Sequence, residues 1–224
     1  MSSQLPIPDE PLNVLITKTL TLPDVTSEEE SMIRKAAGPG STVVIVDSPK
    51  EGVEFASTAD VILGITPKWL FESAPNLKWV HATASGVDMF MFDEFVNSDV
   101  ILTGEKGLVG GHLADTAFGL LLALTRKIKK AIELGPEGWT LENREMMRFS
   151  EIELEGLTMG IVGFGGTGRH LARRATAFGM KVRALDAFPV EPSDGVTEVE
   201  DMTALPDIVK SSDVLAVGLP LTED

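Results

Sequence analysis

The most specific chemical signal in the chain is Gly163-Phe164-Gly165-Gly166-Thr167-Gly168. It follows the apolar run Met159-Gly160-Ile161-Val162. It leads into Leu171, Ala172, Ala175 and Phe178 at helical spacing, with Gly179 where a helix cap belongs. The next apolar run, from Lys181, closes on an acid, Asp186. Strand, glycine loop, helix, strand and terminal acid, in that order, make a dinucleotide site. Gly163 permits the tight turn, Gly165 lets backbone approach a pyrophosphate, and Gly168 lets helix and strand pack closely. The helix start offers free N–H groups and a positive dipole to phosphate. Asp186 can accept hydrogen bonds from a ribose diol and would repel a 2′-phosphate. Ala187, Phe188 and Pro189 follow it with no arginine, so NAD is favoured over NADP. A purely structural glycine turn is the bland alternative, and the order of elements argues against it. Folds that bind S-adenosylmethionine also use a glycine-rich loop, but this spacing fits them less well.

Short apolar runs must position that loop. Candidate strands are 12–17, 42–47, 61–65, 78–82, 100–103, 158–163, 181–186 and 213–219, with 196–199 as a short third strand of the second half. Most are continuous rather than alternating, as in parallel strands covered on both faces. Helical segments fall between them near 27–37, 68–73, 168–178 and 201–210, so the class is α/β. A longer helix over 113–134 carries Phe118, Leu121, Leu122 and Leu124 and then turns basic at Arg126, Lys127, Lys129 and Lys130. Those cations suit a helix C-terminus. The polar stretch 135–150 precedes the glycine-loop unit. The chain is therefore divided into domains 1–110 and 111–224.

Composition narrows the function classes. Lysine and arginine number 19 against 34 acidic residues, a net charge of −15, so nucleic acid and anionic membrane are poor partners. There is no cysteine, which removes disulfides, thiolate zinc sites and cysteine nucleophiles, and no metal site is expected. The N-terminal residues lack the cationic start and apolar run of a signal peptide, and a cytoplasmic protein is expected.

From about Pro75 to Thr222 the chain resembles the D-isomer-specific 2-hydroxyacid dehydrogenase family. The resemblance rests on Leu77-Lys78-Trp79-Val80-His81 with Ser85-Gly86-Val87-Asp88, and on Ala114-Asp115 through Gly119 to Arg126. It continues through Glu153-Leu154-Glu155-Gly156 before the glycine loop, Ala172-Arg173-Arg174 with Ala177 to Met180, and Leu219-Pro220-Leu221-Thr222. It implies a flavodoxin-like substrate domain followed by a doubly wound Rossmann-type NAD-binding domain, with a cleft between them. The implied reaction is hydride transfer between nicotinamide and C2 of a small 2-hydroxy or 2-oxo acid, in a homodimer. Ser85 and Gly86 match the loop whose N–H groups hold the substrate carboxylate. Gly166 and Thr167 match pyrophosphate contacts, and Leu219 and Pro220 match the adenosine side. Asp115 stands where the family has glutamate, Gly110-Gly111-His112 is unusually rich in glycine, and Gly166-Thr167 replaces bulkier residues.

The family's arginine, histidine and orienting acid all lie beyond the Leu-Pro segment. No catalytic residue is therefore assigned in this chain, which is expected to stop after the fourth strand of its nucleotide domain and to be inactive alone. His81, His112 and His170 lack an acid partner at a readable spacing, and each is better explained as a packed or solvated side chain. His170 in particular is expected at the surface. Without further strands, 214–217 becomes an apolar edge lacking a charged gatekeeper. A non-catalytic NAD-binding regulatory or interaction protein is the alternative function.

Overall fold

The computed structural model describes residues 10–219 and divides the chain into two compact units, 1–106 and 107–224. The division falls between Lys106 and Gly107, slightly ahead of the boundary at 110 read from the sequence.

In the first unit, β1 (Asn13–Thr17), β2 (Thr42–Val46), β3 (Val61–Leu63), β4 (Trp79–Ala82) and β5 (Ile101–Gly104) form one parallel sheet. Its order is β2-β1-β3-β4-β5, the flavodoxin-like arrangement. Successive residues of β1 serve two cores, which is why the run reads as continuously apolar. Leu15, Ile62, Val80 and Ala82 face a layer containing Leu70, Phe90 and Phe95. Val14, Ile16, Val43 and Val61 face Ile33 and its neighbours. The helices are α1 (Ser27–Ala37), α2 (Pro49–Ala56), α3 (Lys68–Glu72) and α4 (Asp93–Val96). A reciprocal cap starts α1: Glu29 N–H donates to Thr26 Oγ1 (3.2 Å) and Thr26 N–H to Glu29 Oε2 (2.8 Å).

Asp60 fastens three strand starts. Its carboxylate accepts the Asn13 N–H (2.9 Å) beside β1 and pairs with Lys78 Nζ (2.8 Å) beside β4. Its backbone carbonyl accepts from Lys78 N and Trp79 N. Burial pushes this carboxyl up, but the Lys78 ammonium and the Asn13 amide outweigh that and hold it below its ordinary value. A depressed carboxylate stabilises the fold above its unfolded value and loses that contribution as pH falls through the folded one. Asp60→Asn is expected to cost about 1 kcal/mol at neutral pH, because the pair is only partly shielded. The gap from wild type should close as urea titrations move down through and below the ordinary carboxylate range. A gap independent of pH would contradict this role.

The second unit has β6 (Thr158–Val162), β7 (Lys181–Leu185), β8 (Val199–Glu200) and β9 (Val214–Val217), parallel and ordered β8-β7-β6-β9. This is the Rossmann order 3-2-1-4. Helices α5 (Gly110–Thr125), α6 (Ile128–Leu134), α7 (Leu141–Ser150), α8 (Gly166–Ala177) and α9 (Leu205–Ser211) complete it. Ala114 and Phe118 of α5 and Leu171, Ala172 and Ala175 of α8 share a core with Met159, Ile161 and Phe164. Ile208 of α9 covers Val162 and Leu185 on the other face.

Three expectations are corrected. The long helix over 113–134 is two helices, because Lys127 adopts a left-handed conformation (φ 54°). The stretch 135–150 contains α7, started by a Thr140 cap. The third strand is 199–200 rather than 196–199. It is two residues long and held by Arg183, which grips Glu200 with both arms (2.8 and 3.0 Å) and reaches Asp207 (2.7 Å). In the described residues β9 pairs only with β6, and Leu215 and Val217 are exposed.

Candidate cofactor site

Sheet order reverses between β6 and β9, and ligands of open α/β sheets bind at the carboxyl ends of strands flanking such a reversal. The glycine loop lies there. Gly163 leaves β6 with φ +96°, and a Cβ on it would sit 2.8 Å from the Gly218 carbonyl oxygen. A Cβ at Gly168 would collide with the Gly163 carbonyl oxygen, so this glycine lets α8 start directly over the turn. A Cβ at Gly165 would meet nothing within 4 Å. The fold itself does not require glycine at 165. The open space over it would admit a pyrophosphate. The first turn of α8 has no side-chain cap, and its first intrahelical bond is Arg169 N–H to Gly165 O (3.0 Å). The Gly166, Thr167 and Gly168 N–H groups precede that bond and have no intrahelical acceptor, as an anion-binding helix start requires.

Asp186, just beyond β7, is tied into the same loop. Its Oδ2 accepts the Phe164 N–H (2.8 Å) and its Oδ1 accepts the Phe188 N–H (3.0 Å). Each oxygen keeps a free lone pair for a hydroxyl. Leu219 follows β9 with a methyl 3.2 Å from where a Gly163 Cβ would be, so it borders the loop. Pro220 lies outside the described residues. The structure thus gathers Gly163, Gly165, Gly166, Thr167, Gly168, Asp186 and Leu219 at one sheet end.

Gly166 has a second constraint. Its Cβ would lie 2.6 Å from Gly107 Cα, and one on Gly110 would lie 2.9 Å from Gly166 backbone and from the His170 ring. The glycines at 110 and 166 are therefore complementary, and the start of α5 rests on the start of α8. Arg174 locks the contact by pairing with Asp115 (2.6 Å) and donating to the carbonyls of Gly111 (3.3 Å) and His170 (2.9 Å). His170 is consequently half-buried against Gly110 and Gly111, not at the surface as expected.

Sequence reasoning missed the stitching of the loop after Asp186. Arg169, Arg173 and Thr176 lie at helical spacing along one face of α8. Arg169 donates to Ser193 Oγ and to Glu191 O (2.7 Å), Arg173 pairs with Asp194 (3.0 Å), and Thr176 donates to Asp194 O (3.3 Å). The Ser193 hydroxyl and Arg173 hold the Asp194 carboxyl below its ordinary value against some burial. That spacing was the available signal.

In the first unit, Ser85 and Gly86 are exposed in the turn after β4. Ser85 Oγ donates to Glu105 O (2.8 Å), and neither residue's N–H has a partner among the described residues. His81 Nδ1 shares a hydrogen with Thr103 Oγ1 (2.8 Å), His112 is exposed, and none of the three histidines pairs with a carboxylate among the described residues. Among those residues there is also no group of three or more potential metal ligands, and no helix is long and apolar enough to cross a membrane.

A flavodoxin-like sheet followed by a Rossmann-type sheet with a glycine-loop cradle defines a two-unit dinucleotide-binding α/β protein. Residues 118–224 match the family model described as "D-isomer specific 2-hydroxyacid dehydrogenase, NAD binding domain", and the second unit belongs to that family. A glyoxylate reductase of Korarchaeum cryptofilum is 33% identical over 156 residues, covering 69% of this chain and 46% of that protein. A hydroxypyruvate reductase of Thermotoga maritima is 33% identical over 168 residues, 74% of this chain and 49% of that protein. The chain thus spans about half the length of the curated relatives it matches. Among solved structures, a D-isomer specific 2-hydroxyacid dehydrogenase family protein from Aeromonas salmonicida aligns with a TM-score of 0.74 at 24% identity. That alignment covers 95% of this chain and 65% of that one, and it speaks for the fold. An NAD-dependent formate dehydrogenase from Staphylococcus aureus, solved with NAD, aligns with a TM-score of 0.66 at 21% identity, covering 95% and 66%.

Proposed function

We propose that this chain provides the substrate unit (1–110) and the NAD unit (111–224) of a cytoplasmic oxidoreductase acting on small 2-hydroxy or 2-oxo acids. The observation that carries the reading is the open space over Gly165 beside uncapped N–H groups of α8. Gly163, Gly165, Gly166, Thr167 and Gly168 hold the pyrophosphate. Asp186 accepts the ribose diol and selects NAD over NADP by repelling a 2′-phosphate, and Leu219 and Pro220 line the adenosine side. The free N–H groups of Ser85 and Gly86 hold a substrate carboxylate. NAD, when bound, supplies the hydride acceptor. Relatives named as glyoxylate and hydroxypyruvate reductases and as D-3-phosphoglycerate dehydrogenases support a small 2-hydroxy or 2-oxo acid as substrate.

The proposed assembly is a homodimer through the apolar surface of α5, α6 and α7. Leu120, Leu124, Ile132, Leu141 and Phe149 there, with Trp139 between α6 and α7, are all at least 64% exposed, more apolar surface than a solvated helix face needs. The net charge of −15 disfavours nucleic acid and anionic membrane as partners.

No described histidine carries the carboxylate partner that a general acid/base needs. The 224-residue polypeptide by itself is therefore expected to bind NADH without turning over. The same observation favours the second reading, a non-catalytic NAD-binding regulator. The test follows NADH absorbance with glyoxylate and with hydroxypyruvate. No oxidation above the protein-free rate is expected, and saturable oxidation would overturn the inactivity.

A further inference from the structure

Arg169 is half-buried beside the glycine loop, and its guanidinium hydrogen-bonds none of the groups proposed to meet cofactor. Its guanidinium lies over the ring of Phe164, 4.9 Å from the centroid. Phe164 is fully buried, and its own N–H is the one bound by Asp186. From that fixed seat Arg169 reaches Ser193 Oγ and Glu191 O, both on the loop after Asp186. The same loop supplies Phe188 N–H, the second donor to the Asp186 carboxylate. A planar guanidinium suits this double duty, since it can stack on a ring while its edge donates in two directions.

We propose that Arg169 is a positioning residue for Asp186. By clamping the 187–193 loop to α8 it keeps Phe188 N–H on Oδ1, and so holds the carboxylate where it accepts a ribose diol and repels a 2′-phosphate. This rests on the reading of Asp186 as the ribose acceptor. Arg173 and Thr176 anchor the far end of the loop at Asp194. Losing Arg169 therefore frees the near end without detaching the whole.

The experiment measures NADH and NADPH dissociation constants by fluorescence titration of the full chain. The variants are Arg169→Ala, Arg169→Lys, Ser193→Ala, Asp186→Asn and the double variant Arg169→Ala/Asp186→Asn. Arg169→Ala should weaken NADH by about tenfold, the scale of one charge-assisted hydrogen bond, and weaken NADPH less, so that the preference shrinks. Arg169→Lys should recover part of the loss. Ser193→Ala, which leaves the stacking on Phe164 in place, should move NADH in the same direction. Adding Arg169→Ala to Asp186→Asn should change nothing further, because the residue acts through Asp186. Equal weakening of both cofactors, full additivity with Asp186→Asn, or no change in Arg169→Ala would overturn the proposal. Wild-type chain that fails to bind NADH would overturn the cofactor reading and this inference together, an outcome distinct from the others.

Discussion

Gly165→Val is expected to weaken NADH binding by at least about a hundredfold while leaving thermal unfolding unchanged. Two facts produce this split. The backbone at 165 (φ −78°, ψ −156°) is extended and open to any residue, and a Cβ there meets nothing within 4 Å. Valine therefore costs the fold little. Its methyl groups stand where the phosphate must approach the Gly166, Thr167 and Gly168 N–H groups, and a pyrophosphate held away from them loses charge-assisted hydrogen bonds and the helix dipole together. Parallel melting curves and NADH titrations check both halves. A variant that binds like wild type would remove the phosphate from this loop.

Gly168→Ala should behave in the opposite way. One added methyl collides with the carbonyl oxygen of Gly163 and lies 3.2 Å from an Ile161 methyl, and because the collision is with backbone no side-chain rotation relieves it. Overpacking of this kind costs about 3 kcal/mol. Urea unfolding of the second unit should shift to lower concentration by that amount, with cofactor affinity falling only as the folded fraction falls. An unchanged midpoint would mean that α8 does not start as tightly over β6 as described. The two glycines, three residues apart, thus separate what the ligand requires from what the chain requires.

Much of this was readable in advance. Eight strands were recognisable because residues such as Leu15, Ile62, Val80 and Ile161 are buried between layers, which leaves an uninterrupted apolar run in the sequence. The loop, helix and acid around Gly163 and Asp186 were equally plain, since each position has a steric or electrostatic reason for its residue type. The break at Lys127 was not, because lysine has no preference for the left-handed region that would announce it. Helix α7 was hidden because none of its residues is buried, so its apolar positions gave no core stripe to read. The Gly110–Gly166 contact joins two segments far apart in sequence. Each glycine alone looked like a departure, and only the packing of α5 on α8 shows that they answer one another. The clamp of Arg169, Arg173 and Thr176 on the 187–194 loop was latent in helical spacing, but half of its acceptors are backbone carbonyls, which a sequence does not display.

The most direct test of the account is calorimetric titration of the 224-residue chain with NADH. It predicts saturable binding of one NADH per chain, with affinity in roughly the micromolar range typical of a preformed nucleotide site. Absence of heat and of any fluorescence change up to about millimolar NADH, with the chain shown to be folded, would contradict it.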